Sequence, residues 1–67
     1  MKILYVTSDN TSTRHYELDD TDSKDILELA MDYGRGETGE MVNLYDGEER
    51  IAQAYWDNQY RKYRKCK

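Results

Sequence analysis

His15 and Cys66 are the only imidazole and the only thiol in this 67-residue chain, so nucleophilic or metal chemistry would have to begin with them. A thiolate nucleophile needs a base held beside it, and a structural zinc needs four ligands. His15 stands next to Glu17 in a strand-like segment with no second histidine, and Cys66 lies at the far end of the chain. His15 therefore reads as a solvent-facing strand residue, and no metal or cofactor is expected. Asp20, Asp22 and Asp25 have the look of a calcium loop. Counted from Asp20, however, the glycine position holds Asp25 and the closing glutamate position holds Met31. Gly34-Arg35-Gly36-Glu37-Thr38-Gly39 spells G-x-G-x-x-G, but it follows a predicted helix instead of opening one. Glu37 and Glu40 would also repel a phosphate there. The match is accidental.

What remains is charge. Residues 1–50 carry thirteen carboxylates against five basic groups, a net of about −8. Residues 51–67 carry five Lys/Arg against Asp57 alone, about +4, and the whole chain is −4. Asp22, Asp25, Glu28 and Asp32 form an acidic row at helical spacing, followed by Glu37, Glu40, Asp46, Glu48 and Glu49. These carboxylates are the expected partner-facing surface. The segment Tyr60-Arg61-Lys62-Tyr63-Arg64-Lys65 interleaves rings with cations, which suits stacking on bases and neutralising phosphates. It equally suits offsetting the chain's own acidic face.

Residues 1–67 make one small domain, with residues 60–67 expected as a basic C-terminal tail. A chain of this size buries only ~60 % of the surface its unfolded form exposes, so an enclosed active site would compete with a thin core. An enzyme is disfavoured. No apolar run reaches membrane-span length and no signal peptide is evident, so the expected location is the cytoplasm, or a host cytoplasm if a virus encodes the chain. Seven Tyr, one Trp and no Phe point to rings with one dry face and one wet edge.

The positioning elements follow from patterning. Ile3–Thr7 and Arg14–Leu18 read as an antiparallel hairpin across the turn-forming residues Ser8–Ser12. Asp22 or Ser23 is the expected N-cap of a helix whose Ile26, Leu29, Ala30 and Tyr33 make one apolar stripe flanked by Leu27, with Gly34 as a left-handed cap. Met41–Tyr45 is a third strand leading to the turn pair Asp46-Gly47. From residue 48 to 63 both strand and helix patterns fit. The strand is preferred, because it supplies a hairpin partner and puts Ala52, Ala54 and Trp56 on one face. The expected fold is α+β, a β-β-α-β-β domain with one helix on an antiparallel sheet; the fallback is β-β-α-β-α.

In size, acidity, tyrosine content and lack of a catalytic motif, the chain resembles small phage- or mobile-element-encoded inhibitors of host defence, anti-CRISPR proteins among them. The resemblance rests on Asp22, Asp25, Glu28, Asp32 and the later acids. It implies a DNA-mimicking surface that blocks a basic, nucleic-acid-binding groove on a nuclease or its complex. The residues also leave open a nucleic-acid-binding accessory protein working through Tyr60–Lys65. A homo-oligomer, such as a homodimer joined by its charged surfaces or sheet edges, is a third reading.

Overall fold

The computed structural model describes residues 1–9 and 11–66. The chain runs β1 (Lys2–Ser8), β2 (Thr11–Leu18), α1 (Ile26–Tyr33), β3 (Met41–Asp46), β4 (Glu49–Asp57) and β5 (Lys62–Lys65). The strands form one antiparallel sheet in the order β2-β1-β3-β4-β5. The α+β class and the β-β-α-β-β order hold, and β5 extends them by one strand. Residues 60–67, expected as a tail, thus include the last strand of the sheet. The turn expected over Ser8–Ser12 includes Asn10, which lies outside the described residues.

Period-two patterning decides which sheet face is dry. Leu4 pairs with Leu44, Val6 with Val42, and Ala54 with Val42 across the neighbouring ladder, so their side chains share one face. That face is buried with Ile26, Leu29 and Ala30 of the helix against it. Topology as well as patterning gives the helix its place. β2 and β3 run in the same direction with β1 between them, so the chain must cross back over the sheet to begin β3. The residues that cap this return are not those the sequence points to. Asp25 occupies the N-cap. The Asp19 carboxylate instead accepts from the backbone N–H of Thr21, and that of Asp22 from the N–H of Lys24. Both hold a turn ahead of the helix, a local alternative that short acids readily offer.

At the other helix end Gly34 is extended, with φ −80° and ψ 169°, so it is no left-handed cap. Its missing side chain matters for space. A Cβ there would lie 2.1 Å from the Tyr63 hydroxyl and 2.6 Å from the Ala30 carbonyl. The cation that complements the helix C-terminus comes from β2. Arg14 Nη1 donates to the Tyr33 carbonyl at 3.2 Å and to the Tyr16 hydroxyl at 2.7 Å. Tyr16 and Tyr33 stack with centroids 4.7 Å apart, closing the core beneath Arg14.

The β3–β4 turn is Gly47-Glu48, one residue later than the sequence reading, because Asp46 pairs with Glu49. Gly47 has φ +64°, which suits a glycine at the first central position of a two-residue hairpin loop. Among the described residues no helix covers the opposite sheet face. It holds Tyr5 edge-on to Tyr45 at 5.4 Å, and Gln53 donating to Asn43 at 2.8 Å. Tyr5 and Tyr45 thus pack on one another while remaining half-exposed, a setting with one dry face and one wet edge that suits tyrosine.

Leu29 is 2 % exposed at the centre of the helix–sheet contact. Leu29→Ala should lower stability by roughly 2–5 kcal/mol, a large part of what so small a domain possesses. Chemical denaturation followed by far-ultraviolet circular dichroism measures it.

Candidate interaction surfaces

The sheet directions sort the charges by end. β1 begins, β2 ends, β3 ends and β4 begins at the same end of the sheet, where Lys2 pairs with both Leu18 and Asp46. The turn after β2 and the β3–β4 turn therefore meet there, bringing Asp19, Asp20 and Asp22 toward Asp46, Glu48 and Glu49. The amino group of Met1 lies 3.4 Å from Asp20, and the carbonyl of Met1 accepts from Gly47 N–H at 3.2 Å, which ties the two acidic turns together. Glu48 and Glu49 are exposed, and among the described residues neither forms an ion pair.

The helical row is only partly available. Asp22 precedes the helix and is half-buried. Asp25 meets Lys65 of β5 at 3.1 Å, and that ammonium holds its carboxyl below the ordinary carboxylate value. Asp32 meets Lys24 at 2.9 Å, and the pairing raises the lysine above its usual value. Both pairs are exposed, so each contributes little to stability. Glu28 stays exposed between them. Glu37 is half-buried and accepts from the Ser8 hydroxyl at 2.8 Å.

Glu40 is not a surface residue. It is 1 % exposed, against its expected place on the acidic face. One carboxylate oxygen accepts from the Tyr63 hydroxyl and the other from the N–H of Arg35 at 3.1 Å. The Tyr63 oxygen in turn accepts from the N–H of Gly36 at 2.9 Å. A buried carboxylate needs such donors, since an unpaired one would cost several kcal/mol or be neutralised, as ~tens of kcal/mol of solvation are at stake. Desolvation, reinforced by the hydrogen bond to Glu40, pushes the Tyr63 hydroxyl up to about 12.

The basic segment is largely absorbed by the fold. Tyr63 packs edge-on against Trp56 with centroids 4.9 Å apart, facing the helix side. Arg64 Nε donates to Asp57 at 2.7 Å while its guanidinium lies 4.9 Å from the Tyr60 ring centroid. Desolvation opposes ionisation of Asp57, but the N–H of Tyr60, the Arg64 guanidinium and the N–H of Gln59 outweigh it, and the carboxyl sits below its ordinary value. Lys65 is engaged by Asp25. Arg61 and Lys62 remain exposed. His15 and Cys66 lie on β2 and beyond β5, at opposite edges of the sheet, so the fold does not bring the imidazole and thiol together.

Among the described residues no helix is long and apolar enough to cross a membrane. Comparison with protein-family models, with curated proteins and with solved structures returned no match to this chain.

The Glu40–Tyr63 pair yields a pH-dependent expectation. Tyr63→Phe strips Glu40 of a donor and should cost about 1–3 kcal/mol at neutral pH. A hydroxyl raised from 10 to about 12 contributes fully below pH 10 and loses its effect as pH climbs toward 12. The gap between wild type and Tyr63→Phe should therefore narrow above pH 10, as measured by urea midpoints across that range.

Proposed function

We propose that the chain is a small non-enzymatic interaction protein that presents its acidic end to a basic, nucleic-acid-binding groove of a larger protein, such as a nuclease or its complex. The observation that carries the reading is the gathering of two acidic segments distant in sequence, Asp19–Asp22 and Asp46–Glu49, at one end of the sheet. Duplex DNA carries one charge per ~1.7 Å of axis, and clustered carboxylates on a rigid hairpin can compete for the cations that read it. The compositional resemblance to small acidic inhibitors of host defence points the same way. The rival reading, direct nucleic-acid binding through Tyr60–Lys65, is weakened by the internal engagement of Tyr63, Arg64 and Lys65.

Glu48→Lys with Glu49→Lys is the discriminating variant, because both side chains are exposed at a turn and neither supports the core. Immobilised wild-type protein should retain a nucleic-acid-binding protein from the lysate of its native cell and release it to competing duplex DNA. The double variant should keep the wild-type circular dichroism spectrum and lose at least about tenfold in affinity, as like-charge contacts cost several kcal/mol. Affinity should also fall with added salt, since screening shortens to ~8 Å at physiological ionic strength. Retention within about twofold of wild type would place the interface elsewhere, each tenfold being ~1.4 kcal/mol.

A further inference from the structure

At the end of the sheet remote from the acidic turns, a cleft of about 610 Å³ opens between α1, the loop at Gly34–Gly36 and the β4–β5 turn. Its apolar lining is Leu27, Met31, Trp56 and Tyr63, and its charged lining residues are Arg35, Arg61 and Lys62. Every charge is positive, in a protein whose net charge is −4. Met31 is 69 % exposed, although helix α1 has core positions enough in Ile26, Leu29 and Ala30. Arg35 reaches only Glu37, at 3.9 Å, and among the described residues Arg61 and Lys62 form no ion pair.

Arg61 has φ +56°, the one positive φ outside glycine among the described residues. Its N–H closes the turn on the Asp57 carbonyl at 2.7 Å. Glycine is the residue that adopts this conformation without strain. An arginine is held there instead, at a strained position that lines the cleft, and such outliers concentrate at binding sites.

We propose that this cleft is a docking site for a segment of a partner protein in which an aliphatic side chain is flanked by carboxylates. The aliphatic group meets Leu27 and Met31, whose thioether side chain adapts to irregular partners. The carboxylates meet Arg35 and Arg61. Charge complementarity selects the acidic flanks, and the state of the rings selects peptide over nucleic acid. Tyr63 is hydrogen-bonded through its hydroxyl and lies edge-on to Trp56, and a Cβ on Gly36 would sit 3.2 Å from the Trp56 ring. Both rings are thus packed against protein neighbours on at least one side, whereas the exposed Met31 offers an aliphatic surface, which favours an aliphatic side chain over a stacked base. The site is independent of the acidic end, so either can fail alone.

The test selects random dodecapeptides displayed on phage against the full chain. Enriched peptides should carry Leu, Ile or Met between acidic residues. Synthetic copies should shift the emission of Trp56, the chain's only tryptophan. Met31→Lys should weaken them at least about tenfold, as loss of a central anchor does. Arg61→Gly should weaken them about threefold to fivefold, the scale of an exposed ion pair. The same change should raise the thermal midpoint by roughly 4–8 °C as the left-handed strain is relieved. A merely structural Arg61 would move the midpoint alone. Enrichment without acidic flanks, or binding indifferent to both variants, overturns the proposal. Trp56 quenching by oligothymidylate with no peptide response assigns the cleft to nucleic acid. Self-association in sedimentation that Met31→Lys abolishes assigns it to a second copy.

Discussion

The hydrogen bond from Tyr63 to the buried Glu40 holds one end of the molecule together. A carboxylate at 1 % exposure is tolerable only if its oxygens find donors, and here they come from β5 and from the loop that follows the helix. The bond therefore ties together three parts of the chain: the edge strand, the glycine loop and the residue that leads into β3. It also explains why Gly34 must lack a side chain, since the Tyr63 hydroxyl occupies the space where a Cβ would stand. The cleft lies beside this clamp, between the glycine loop, the helix and the β4–β5 turn.

The charge asymmetry of the sequence becomes a spatial arrangement of a different kind. An acidic body and a basic tail do not face the solvent as separate blocks. Asp25 of the acidic part pairs with Lys65, and Asp57 within the basic part pairs with Arg64, so two of the late cations are engaged internally. Among the described residues without an ion pair are Glu48 and Glu49 at one end of the sheet, with Arg50 beside them, and Arg61 and Lys62 at the other end. Each internal pair is exposed and adds little stability individually, so its main effect is on where charge is left over.

Much of the architecture was legible because strands and helix announce themselves by period. Alternation located β1 to β4 and placed Ala52, Ala54 and Trp56 on the face away from Gln53 and Tyr55. The stripe Ile26, Leu29, Ala30 and Tyr33 located the helix. β5 was missed because only Tyr63 of its four residues packs toward the core, and a single buried ring among cations carries no period. The helix start was misread because Asp19 and Asp22 serve turns with the same side-chain chemistry that caps a helix. Burial of Glu40 depends on a donor on the far strand β5, which no local pattern reveals. The cleft did leave a trace: Leu27 and Met31, four residues apart, form a second apolar stripe beside the first, and its meaning appears only once β5 lies next to it.

The strand order has a kinetic side. β1–β2, β3–β4 and β4–β5 are joined by short turns, whereas the β1–β3 ladder pairs Lys2 with Asp46 and Thr7 with Met41. Closing that ladder requires the intervening hairpin and helix to be spanned first, an entropic cost that rises slowly with loop length, by about 0.6 kcal/mol per doubling. Until it closes, the β1–β2 hairpin leaves Leu4 and Val6 uncovered along an open edge, while the other three strands form a meander of their own. The pairing of strands distant in sequence is therefore also what hides two strand edges, one on β1 and one on β3, that would otherwise offer hydrogen bonds to other chains.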